Sequence, residues 1–455
     1  MTARAVVVAA PASGSGKTTV ATGLMAALRR RGTSVAPFKV GPDYIDPGYH
    51  TLAAGRPGRN LDPVLVGAER IAPLARHGAA GAEVAVVEGV MGLFDGRIAD
   101  GAGSTAQVAN LLGAPVLLVV DCRGQSRSLA ALLHGFRSFD AGDDQRVRLA
   151  GVVLNRVGSP RHEDVLRAAA DEAGLPVLGA LPRRDALAVP SRHLGLVTAV
   201  EHGAAAVAAV DAMAELVAEH VDLDAVAGLA SPLPPGPAWE PAEVVPAAGA
   251  RPMVAVFGGP AFTFGYAEHA ELLAAAGADV VTVDPLRDEV LPDGIAALVL
   301  PGGFPEEHVA ALGANVPLRT AVRALAASGA PLHAECGGLL YLCESLDGAP
   351  MCGVLPARAA MGGRLTLGYR DAVALTGSAL FPAGARVPGH EFHHATVTPR
   401  AGAPAWGWRG GEPEGFVAGG VHASFLHTHP AGRPEAVARF VTAAGDRRAR
   451  LPADV

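Results

Sequence analysis

Short apolar, β-branched runs alternate with helix-length stretches through both halves of this chain of 455 residues. In the first half the runs are residues 5–10, 34–39, 84–87, 116–120 and 152–154. In the second half they are residues 253–257, 279–283, 297–300 and 331–333. Alternation of this kind is typical of a parallel sheet covered by helices. Each half is therefore predicted to form a doubly wound α/β domain.

A proline-rich stretch separates the two series. Residues 231–237 read SPLPPGP, and further Pro and Ala residues follow up to Pro252. Proline fixes its backbone angle and lacks an N–H, so this stretch continues neither a helix nor a central strand. The sequence predicts domains at residues 1–220 and 252–447, joined by a Pro- and Ala-rich linker at residues 221–251.

Composition and charge narrow the class of protein. The net charge is −7 and both signs are interspersed, so no basic stripe indicates a nucleic-acid or membrane surface. No apolar run approaches the roughly 20 residues that a membrane helix needs. The four cysteines, at positions 122, 336, 343 and 352, form no C-x-x-C pair, which favours a reducing compartment. We expect a cytoplasmic protein without a nucleic-acid or membrane partner.

A phosphate-binding loop follows the first run. It comprises Ser13, Gly14, Ser15, Gly16, Lys17, Thr18 and Thr19, and a helix is predicted at residues 17–30. The glycines let backbone N–H groups surround a phosphate, Lys17 reaches the outer phosphates, and the Thr18 hydroxyl binds magnesium. Pro11 stands where the common pattern has its first glycine. The loop in this context predicts an ATP site.

Acidic residues in the same half are candidate metal and substrate ligands. Glu88 ends the buried run 84–87, where the ligands of a parallel sheet collect. Asp62 is a second candidate, and Asp43, Asp46 and Asp95 lie in loop-like segments. A single Asp in a loop is more often a turn former. The segment at residues 38–50, FKVGPDYIDPGYH, is nevertheless dense in polar groups directly after a predicted strand.

Cys336 lies in the segment AECGGL, directly after an apolar run. A strand that enters a sharp turn before a helix exposes a nucleophile, although a lone cysteine is also commonly a small buried residue. Gly302 and Gly303 follow the run 297–300, and their N–H groups are candidates for an oxyanion site. A thiol needs an imidazole base to form thiolate near neutral pH, and the segment ASFLHTHP at residues 423–430 supplies histidines.

Three further histidines, His390, His393 and His394, raise the question of a metal centre. Their context is more strand-like than helical, and no cysteine or carboxylate set completes a zinc site. Structural roles or roles at the edge of a substrate site are predicted for them instead.

Several segments together resemble one family, the cobyrinic and hydrogenobyrinic acid a,c-diamide synthases. In these a synthetase domain like that of dethiobiotin synthetase is fused to a triad-type, class I glutamine amidotransferase domain. The segments in the first half are FKVGPDYIDPGYH, RNLDP, VEGVMGLFDG and VVLNRVGSPRH. Those in the second half are PLRDEVLP, LPGGFPEEH, AECGGLLYL, GHEFHHA and ASFLHTHP.

The resemblance implies roles for individual residues. Magnesium would be held by Thr18, Asp62 and Glu88, and Asn155 would lie near the adenine. The corrinoid and phosphate side would comprise Asp43, Tyr44, Asp46 and Asp95. Cys336 and His427 would be the catalytic pair of the glutaminase. The chain departs from the family pattern at His429, where the ordinary triad has a Glu, and in residues 257–262.

The implied activity is ATP-dependent, glutamine-hydrolysing amidation of the a and c carboxylates of a corrin macrocycle. An acyl phosphate would form from the carboxylate and ATP, with magnesium as the cofactor. A homodimer is a base-rate expectation. Whether the macrocycle carries cobalt remains open. A cobyric acid synthase and an enzyme acting on a nickel tetrapyrrole remain alternative functions. An alternative of another class is a nucleotide-switch ATPase with a non-catalytic glutaminase-like module.

Overall fold

The computed structural model describes residues 2–139, 142, 147–183, 191–192, 195–247, 249 and 251–450. The chain divides into two compact units, Met1–Trp239 and Glu240–Val455.

The first unit is built on an eight-stranded sheet with the strand order β3-β2-β4-β1-β5-β6-β7. These neighbours are parallel, and β10 adds to β1 in the antiparallel sense. A short hairpin, β8–β9, stands apart from this sheet. The strands are β1 (Arg4–Ala9), β2 (Val35–Val40), β3 (Arg59–Leu61), β4 (Val84–Glu88), β5 (Val116–Asp121), β6 (Leu149–Val157), β7 (Val177–Pro182), β8 (Ser191–Arg192), β9 (Gly195–Leu196) and β10 (Ser231–Pro232).

Helices connect the strands of this sheet, as parallel pairing requires. They are α1 (Lys17–Arg30), α2 (Asp46–Ala54), α3 (Pro63–Val66), α4 (Ile71–Gly78), α5 (Thr105–Leu111), α6 (Ser128–Ser138), α7 (Pro160–Glu172), α8 (Ala199–His202), α9 (Ala204–His220) and α10 (Leu223–Leu229). The central strands β1, β4 and β5 are buried except for Arg4 and Asp121, which explains their continuous apolar runs.

Part of the segment predicted as a linker, residues 221–251, belongs to the first unit. It contains α10 and β10, and the Leu233 N–H donates to the Ala3 carbonyl at 3.0 Å. The Trp239 N–H donates to the Pro73 carbonyl at 3.0 Å, and its ring meets the edge of His77. The structure therefore places the division after Trp239 rather than at residue 220. β10 pairs with the first two residues of β1, with Pro232 opposite Arg4.

The second unit contains two sheets. One has the order β12-β11-β13-β14-β21-β20 and is parallel except for its last pair. The other has the order β16-β15-β17-β18-β22, with β19 paired to β17. The strands are β11 (Met253–Phe257), β12 (Asp279–Val283), β13 (Ile295–Leu300), β14 (Leu332–Glu335), β15 (Ser345–Leu346), β16 (Ala349–Pro350), β17 (Arg358–Ala374), β18 (Arg386–Thr398), β19 (Trp406–Gly407), β20 (Phe416–Ala418), β21 (Val421–Ser424) and β22 (His427–Thr428).

The helices of the second unit flank the parallel sheet or lead into it. They are α11 (Pro241–Val244), α12 (Ala267–Ala275), α13 (Val309–Ala314), α14 (Val316–Ala327), α15 (Gly337–Leu342) and α16 (Pro434–Arg450). The prediction of α/β domains is confirmed, and the predicted runs 253–257 and 279–283 coincide with β11 and β12. The second sheet was not predicted. Within the described ranges, no helix is long and apolar enough to span a membrane.

Close packing of α1 against α9 generates a stability prediction. A Cβ added to Gly23 would come within 2.5 Å of the Met213 carbonyl oxygen and 2.6 Å of Val217 Cγ2. We expect Gly23→Ala to lower the free energy of unfolding by about 1–3 kcal/mol, because overpacking forces the two helices apart. Thermal or urea unfolding would measure the change.

The matched control is Gly135→Ala in α6, where an added Cβ meets nothing within 4 Å. An exposed helical glycine replaced by alanine should stabilise by roughly 0.5–1 kcal/mol. Equal stability of the two variants would contradict the packing argument.

Candidate functional site

The phosphate loop connects β1 to α1 and turns through glycines with left-handed backbone angles. Gly14 has φ +76° and Gly16 has φ +98°, a region that side chains other than glycine rarely adopt. A Cβ on Gly16 would come within 2.2 Å of Asn155 Nδ2, so the position also lacks room. Ser13 lies within the loop and Thr19 in the first turn of α1. The loop ends where the N–H groups of a helix start, as phosphate binding requires.

Two neighbouring residues on β6 hold the loop in place. The Asn155 side-chain amide donates to the Ser15 carbonyl at 2.9 Å, and Arg156 Nη1 donates to the Gly14 carbonyl at 2.9 Å. Arg156 also pairs with the Asp121 carboxylate. The predicted contact of Asn155 with adenine stays a prediction. Arg156 was missed, although its place beside Asn155 in LNRV was a usable signal.

Lys17 is buried beneath the loop. Its Nζ donates to the Met91 carbonyl at 2.5 Å and to the Ala12 carbonyl at 3.3 Å. Burial, together with the positive charge of Lys39, lowers the pKa of Lys17 to about 8. Nearby carboxylates oppose this shift, and Asp95 is one of them, so this predicted residue faces the lysine.

A buried cluster of opposite charges lies at the carboxyl end of β2 and β4. Glu88 Oε1 accepts from Thr18 Oγ1 at 2.6 Å and from Lys39 Nζ at 2.9 Å, and its Oε2 meets His50 Nε2 at 2.6 Å. Lys39 Nζ also donates to Asp46 Oδ2 at 2.6 Å. The structure thus brings together Thr18, Glu88 and Asp46, which were predicted from distant segments.

Lys39 and His50 were missed by sequence reasoning. A lysine inside the apolar run of β2 was one available signal, because lysine is almost never fully buried unless it is paired. His50 follows Asp46 by four residues on α2 and so shares a helix face with it. Both side chains contact the buried carboxylate of Glu88.

The cluster carries more negative than positive charge. Asp43 lies 3.8 Å from Lys39 Nζ and adds a third carboxylate to Asp46 and Glu88. Burial raises the pKa of Asp46 well above its ordinary range, and the neighbouring Asp43 adds to this shift. Burial alone would lower the pKa of Lys39, but Asp46, Glu88 and Asp43 raise it above the ordinary value.

The oxygen atoms around Thr18 fit a hard cation. Thr18 Oγ1 lies 2.6 Å from Glu88 Oε1 and 3.4 Å from Asp46 Oδ2, so three oxygens converge. Magnesium prefers oxygen ligands, and its charge would offset part of the negative charge of these carboxylates. The residues that could hold it are therefore Thr18, Glu88 and Asp46.

Asp62 and Tyr44 occupy other positions. Asp62 is fully buried and caps α3, because its Oδ1 accepts from the N–H groups of Val64 and Leu65 at 2.9 and 3.1 Å. Its predicted role as a magnesium ligand stays a prediction. Tyr44 is half-buried in the turn between β2 and α2, beside Asp43.

In the second unit, Cys336 lies on a sharp turn between β14 and α15. Its backbone has φ +46° and ψ −101°, a strained conformation for a residue with a side chain. The Cys336 N–H donates to the Ser424 carbonyl at 2.7 Å, which fixes the turn to the end of β21. Burial raises the pKa of the Cys336 thiol well above its usual value, and the charge of Glu306 adds to the effect. The thiol therefore needs a base before it can react.

Gly302 and Gly303 lie against this turn. A Cβ on Gly337 would come within 3.0 Å of the Gly303 nitrogen and 3.4 Å of the Gly302 carbonyl carbon. A Cβ on Gly302 would come within 2.5 Å of His427 Cε1. The structure thus brings the predicted oxyanion glycines, the cysteine turn and His427 to one place.

His427 is buried at the start of β22, opposite His390 on β18. The two rings stack with centroids 5.0 Å apart. Burial lowers the pKa of His427 to about 4, although the charge of Glu335 acts in the other direction. At neutral pH the ring is therefore uncharged and able to accept the thiol proton.

The other histidines have separate contacts. His393 stacks on Phe425 with centroids 3.8 Å apart, and its Nδ1 lies 2.8 Å from the Ala395 carbonyl. His429 stacks on Tyr266. Among the residues that the structure describes, no group of three His, Cys, Asp or Glu side chains is arranged to hold a metal ion.

The lowered pKa of Lys17 predicts that nucleotide binding weakens with pH. A protonated Lys17 attracts the phosphates, and with a pKa of about 8 the unliganded protein loses this charge between pH 7 and pH 9. We expect the Kd of a non-hydrolysable ATP analogue to rise by at least about fivefold over this interval. Isothermal titration calorimetry at each pH would measure it.

Lys17→Ala is the control for this measurement. It should bind the analogue weakly at both pH values and show less than a twofold change in Kd between them. A pH dependence in the variant equal to that of the wild type would assign the titration to another group.

Comparison with known proteins identifies a family for each half of the chain. Residues 6–197 match the CobQ/CobB/MinD/ParA nucleotide binding domain family, and residues 253–435 match the CobB/CobQ-like glutamine amidotransferase domain family. The chain is 61% identical over 452 residues to hydrogenobyrinate a,c-diamide synthase of Mycobacterium tuberculosis, covering 97% of this chain and 98% of that protein.

Two further relatives are similar over nearly the whole chain. The hydrogenobyrinate a,c-diamide synthase of Streptomyces coelicolor is 57% identical over 471 residues, covering 96% of each chain. The cobyrinate a,c-diamide synthase of Gloeobacter violaceus is 44% identical over 446 residues, again covering 96% of each chain. The chain therefore belongs to the family of hydrogenobyrinate and cobyrinate a,c-diamide synthases.

Proposed function

We propose that this protein is a glutamine-dependent amidoligase that converts the a and c carboxylates of hydrogenobyrinic acid to amides in cobalamin biosynthesis, with hydrolysis of ATP. The observation that carries the proposal is the thiol of Cys336 on a strained strand-to-helix turn, in the same chain as the phosphate loop of Lys17. The site of Cys336 suits release of ammonia from an amide, and the phosphate loop of Lys17 suits activation of a carboxylate.

The choice of macrocycle rests on the relatives. Proteins 61%, 57% and 53% identical to this chain are named for hydrogenobyrinate, whereas the one that is 44% identical is named for cobyrinate. These names favour the cobalt-free macrocycle. They also argue against the alternatives of a cobyric acid synthase and an enzyme for a nickel tetrapyrrole.

In the glutaminase half, His427 takes the proton of the Cys336 thiol. The thiolate then attacks the carboxamide carbon of glutamine, and the N–H groups at Gly302 and Gly303 stabilise the oxyanion that forms. His427 returns the proton to the leaving nitrogen, so that ammonia departs and a thioester remains. Water hydrolyses the thioester to glutamate and restores the thiol.

In the synthetase half, a carboxylate oxygen of the macrocycle attacks the γ-phosphorus of ATP, which yields an acyl phosphate and ADP. Ammonia attacks the acyl carbon, an amide forms, and phosphate leaves. Lys17 and the loop N–H groups hold the phosphates and offset the negative charge that develops on them. Magnesium, when bound by Thr18, Glu88 and Asp46, supplies further charge neutralisation there.

The compartment and the oligomeric state of the enzyme are also part of the proposal. All four cysteines lie within the described residues as buried thiols without a disulfide, which supports a reducing compartment such as the cytoplasm. A symmetric homodimer remains part of the proposal on base rates alone.

Replacing the nucleophile tests the proposal. We expect Cys336→Ala to lower glutamine-dependent amidation by more than about 10³-fold, because no thioester can form. Amidation with ammonium chloride should stay within about twofold of wild type, since the synthetase half is intact. Mass spectrometry of hydrogenobyrinic and cobyrinic acid incubated with ATP and magnesium would record both amidations and the preferred macrocycle.

Cys343→Ala is the matched control. This thiol is also buried, has its pKa raised to about 12 by burial, and donates to the Leu339 carbonyl of α15, which ends one residue earlier. Its loss should leave glutamine use within about threefold of wild type. Full glutamine use by Cys336→Ala, or no amidation of either macrocycle by the wild type, would favour the nucleotide-switch alternative.

The contact between Gly302 and His427 gives a second prediction. Gly302→Ala should displace the imidazole, since the new Cβ would lie 2.5 Å from Cε1 of the ring. A displacement of about 1 Å costs roughly 10²-fold in catalysis. We expect a loss of this size in glutamine-dependent kcat with ammonia-dependent activity retained.

Gly265→Ala controls for the added methyl group, because its Cβ meets nothing within 4 Å. It should keep more than half of the glutamine-dependent activity. Equal losses in the two variants would mean that the position of His427 does not depend on Gly302.

A further inference from the structure

We propose that Glu335, the residue directly before the nucleophile, is the carboxylate that positions His427 during glutamine hydrolysis. The inference rests on the proposed function, because it assigns His427 as the base of a glutaminase. Glu335 would act as the third member of the triad, because His429 stands where the ordinary triad has a Glu.

The first support is the contact itself. Glu335 Oε2 lies 3.7 Å from His427 Nδ1, and both side chains are largely buried. An opposite charge at this distance in a water-poor site acts far more strongly than one at the surface. The contact uses Nδ1, which leaves Nε2 as the nitrogen to exchange a proton with the thiol.

The second support is the way Glu335 is held. Its Oε1 accepts from both the N–H and the hydroxyl of Thr428, at 3.0 and 2.9 Å. His333 Nε2 lies 3.4 Å from the same oxygen. Thr428 directly follows His427 on β22, so the hydrogen bonds that fix the carboxylate also fix it relative to the imidazole. This geometry keeps Oε2 directed at His427.

The strand arrangement places the pair next to the nucleophile. Glu335 is the last residue of β14, paired with Ser424 of β21, and the Ser424 carbonyl accepts the N–H of Cys336. One short backbone segment therefore carries both the thiol and the carboxylate. Any shift of the turn moves the two groups together.

The charged groups around Glu335 and His427 allow Glu335 to position the imidazole. The titratable groups that act on His427 are Glu335 and His333 from β14 and His390, Glu391 and His393 from β18. Burial alone would raise the pKa of Glu335, but the contact with His333 and the charges and donors around it lower that pKa to about 2. Glu335 is thus an anion throughout the working pH range, and it favours the imidazolium that forms when His427 takes the thiol proton.

Two other residues are poorer candidates for the task. His429 Nδ1 accepts the N–H of Ala431 at 3.2 Å, and its ring stacks on Tyr266. Glu391 is bound to Arg370 at 2.7 Å. Both side chains are therefore engaged by these other partners.

The test replaces Glu335 by its neutral isostere. In Glu335→Gln we expect glutamine-dependent kcat to fall by about 10- to 100-fold, less than in a triad with a direct carboxylate–imidazole hydrogen bond. The KM for glutamine should change by less than about threefold, and ammonia-dependent amidation should remain. The acid limb of the kcat/KM profile should move to lower pH, because the lost carboxylate no longer favours protonated His427.

Glu391→Gln is the matched control, because it also neutralises a buried carboxylate in the same half of the molecule. It should leave kcat within about threefold and move the acid limb less than Glu335→Gln does, because Glu391 acts on His427 more weakly than Glu335. Thr428→Val is a second variant that keeps every charge but removes one hydrogen bond to Glu335. We expect it to lower kcat by about three- to tenfold, and it tests the same geometry if Glu335→Gln fails to fold.

The outcomes separate this inference from the proposed function. If Cys336→Ala is inactive with glutamine but Glu335→Gln retains wild-type kcat and pH profile, the role of Glu335 is overturned while the glutaminase stands. A loss in Glu391→Gln equal to that in Glu335→Gln would also overturn it. If Cys336→Ala still uses glutamine, the proposed function itself fails.

Discussion

Parallel strands end at a common edge, and both sites of this protein depend on that constraint. In the first unit β1, β2 and β4 run side by side, with Lys39 in register with Glu88. The loop of Lys17 leaves the same edge, so phosphate loop, lysine and carboxylate meet without any being close in sequence. In the second unit β13, β14 and β21 end together and bring Gly302, Cys336 and Ser424 to one place. Loops at such an edge are the usual location of ligand sites.

The cysteine site also requires backbone segments to approach one another closely. Gly338 shows this most clearly, because a Cβ there would come within 2.1 Å of the Leu300 carbonyl oxygen. Glycine lets α15 begin directly against β13, and the strained Cys336 is held between them. The energy stored in that conformation is offset by hydrogen bonding and burial around the turn. A strained nucleophile on a rigid support is consistent with a catalytic role for the thiol.

The two sites differ in the charge that they bury. Glu88 lies in a cluster with an ammonium, an imidazole and other carboxylates, so oppositely charged groups are already paired there. Cys336 and His427 are both neutral at rest because burial disfavours their charged forms. Proton transfer between them creates charge only during reaction, and Glu335 is the anion placed to stabilise it. In the second unit, desolvation thus keeps both groups neutral until proton transfer creates a transient ion pair.

The sequence predicted most of the framework. Periodic apolar runs located β11 and β12 without error in their bounds, and the helix predicted at residues 17–30 is α1. The second sheet escaped prediction because β17 is mostly exposed and shows no regular apolar alternation. The linker prediction extended too far into the first unit because composition alone does not reveal that β10 pairs with β1.

By itself the sequence determined two α/β units, a phosphate loop, a cysteine on a tight turn and a candidate histidine segment for its base. These features follow from local patterns: apolar periodicity, glycine spacing and residue type. Only the tertiary structure decided which side chains contact one another. Lys39 and His50 contact Glu88, Asn155 contacts the phosphate loop, and Glu335 lies beside His427. The reason is that ion pairs and buried hydrogen bonds join residues far apart in the chain, and their energies depend on distances and burial that exist only once the strands have taken their order.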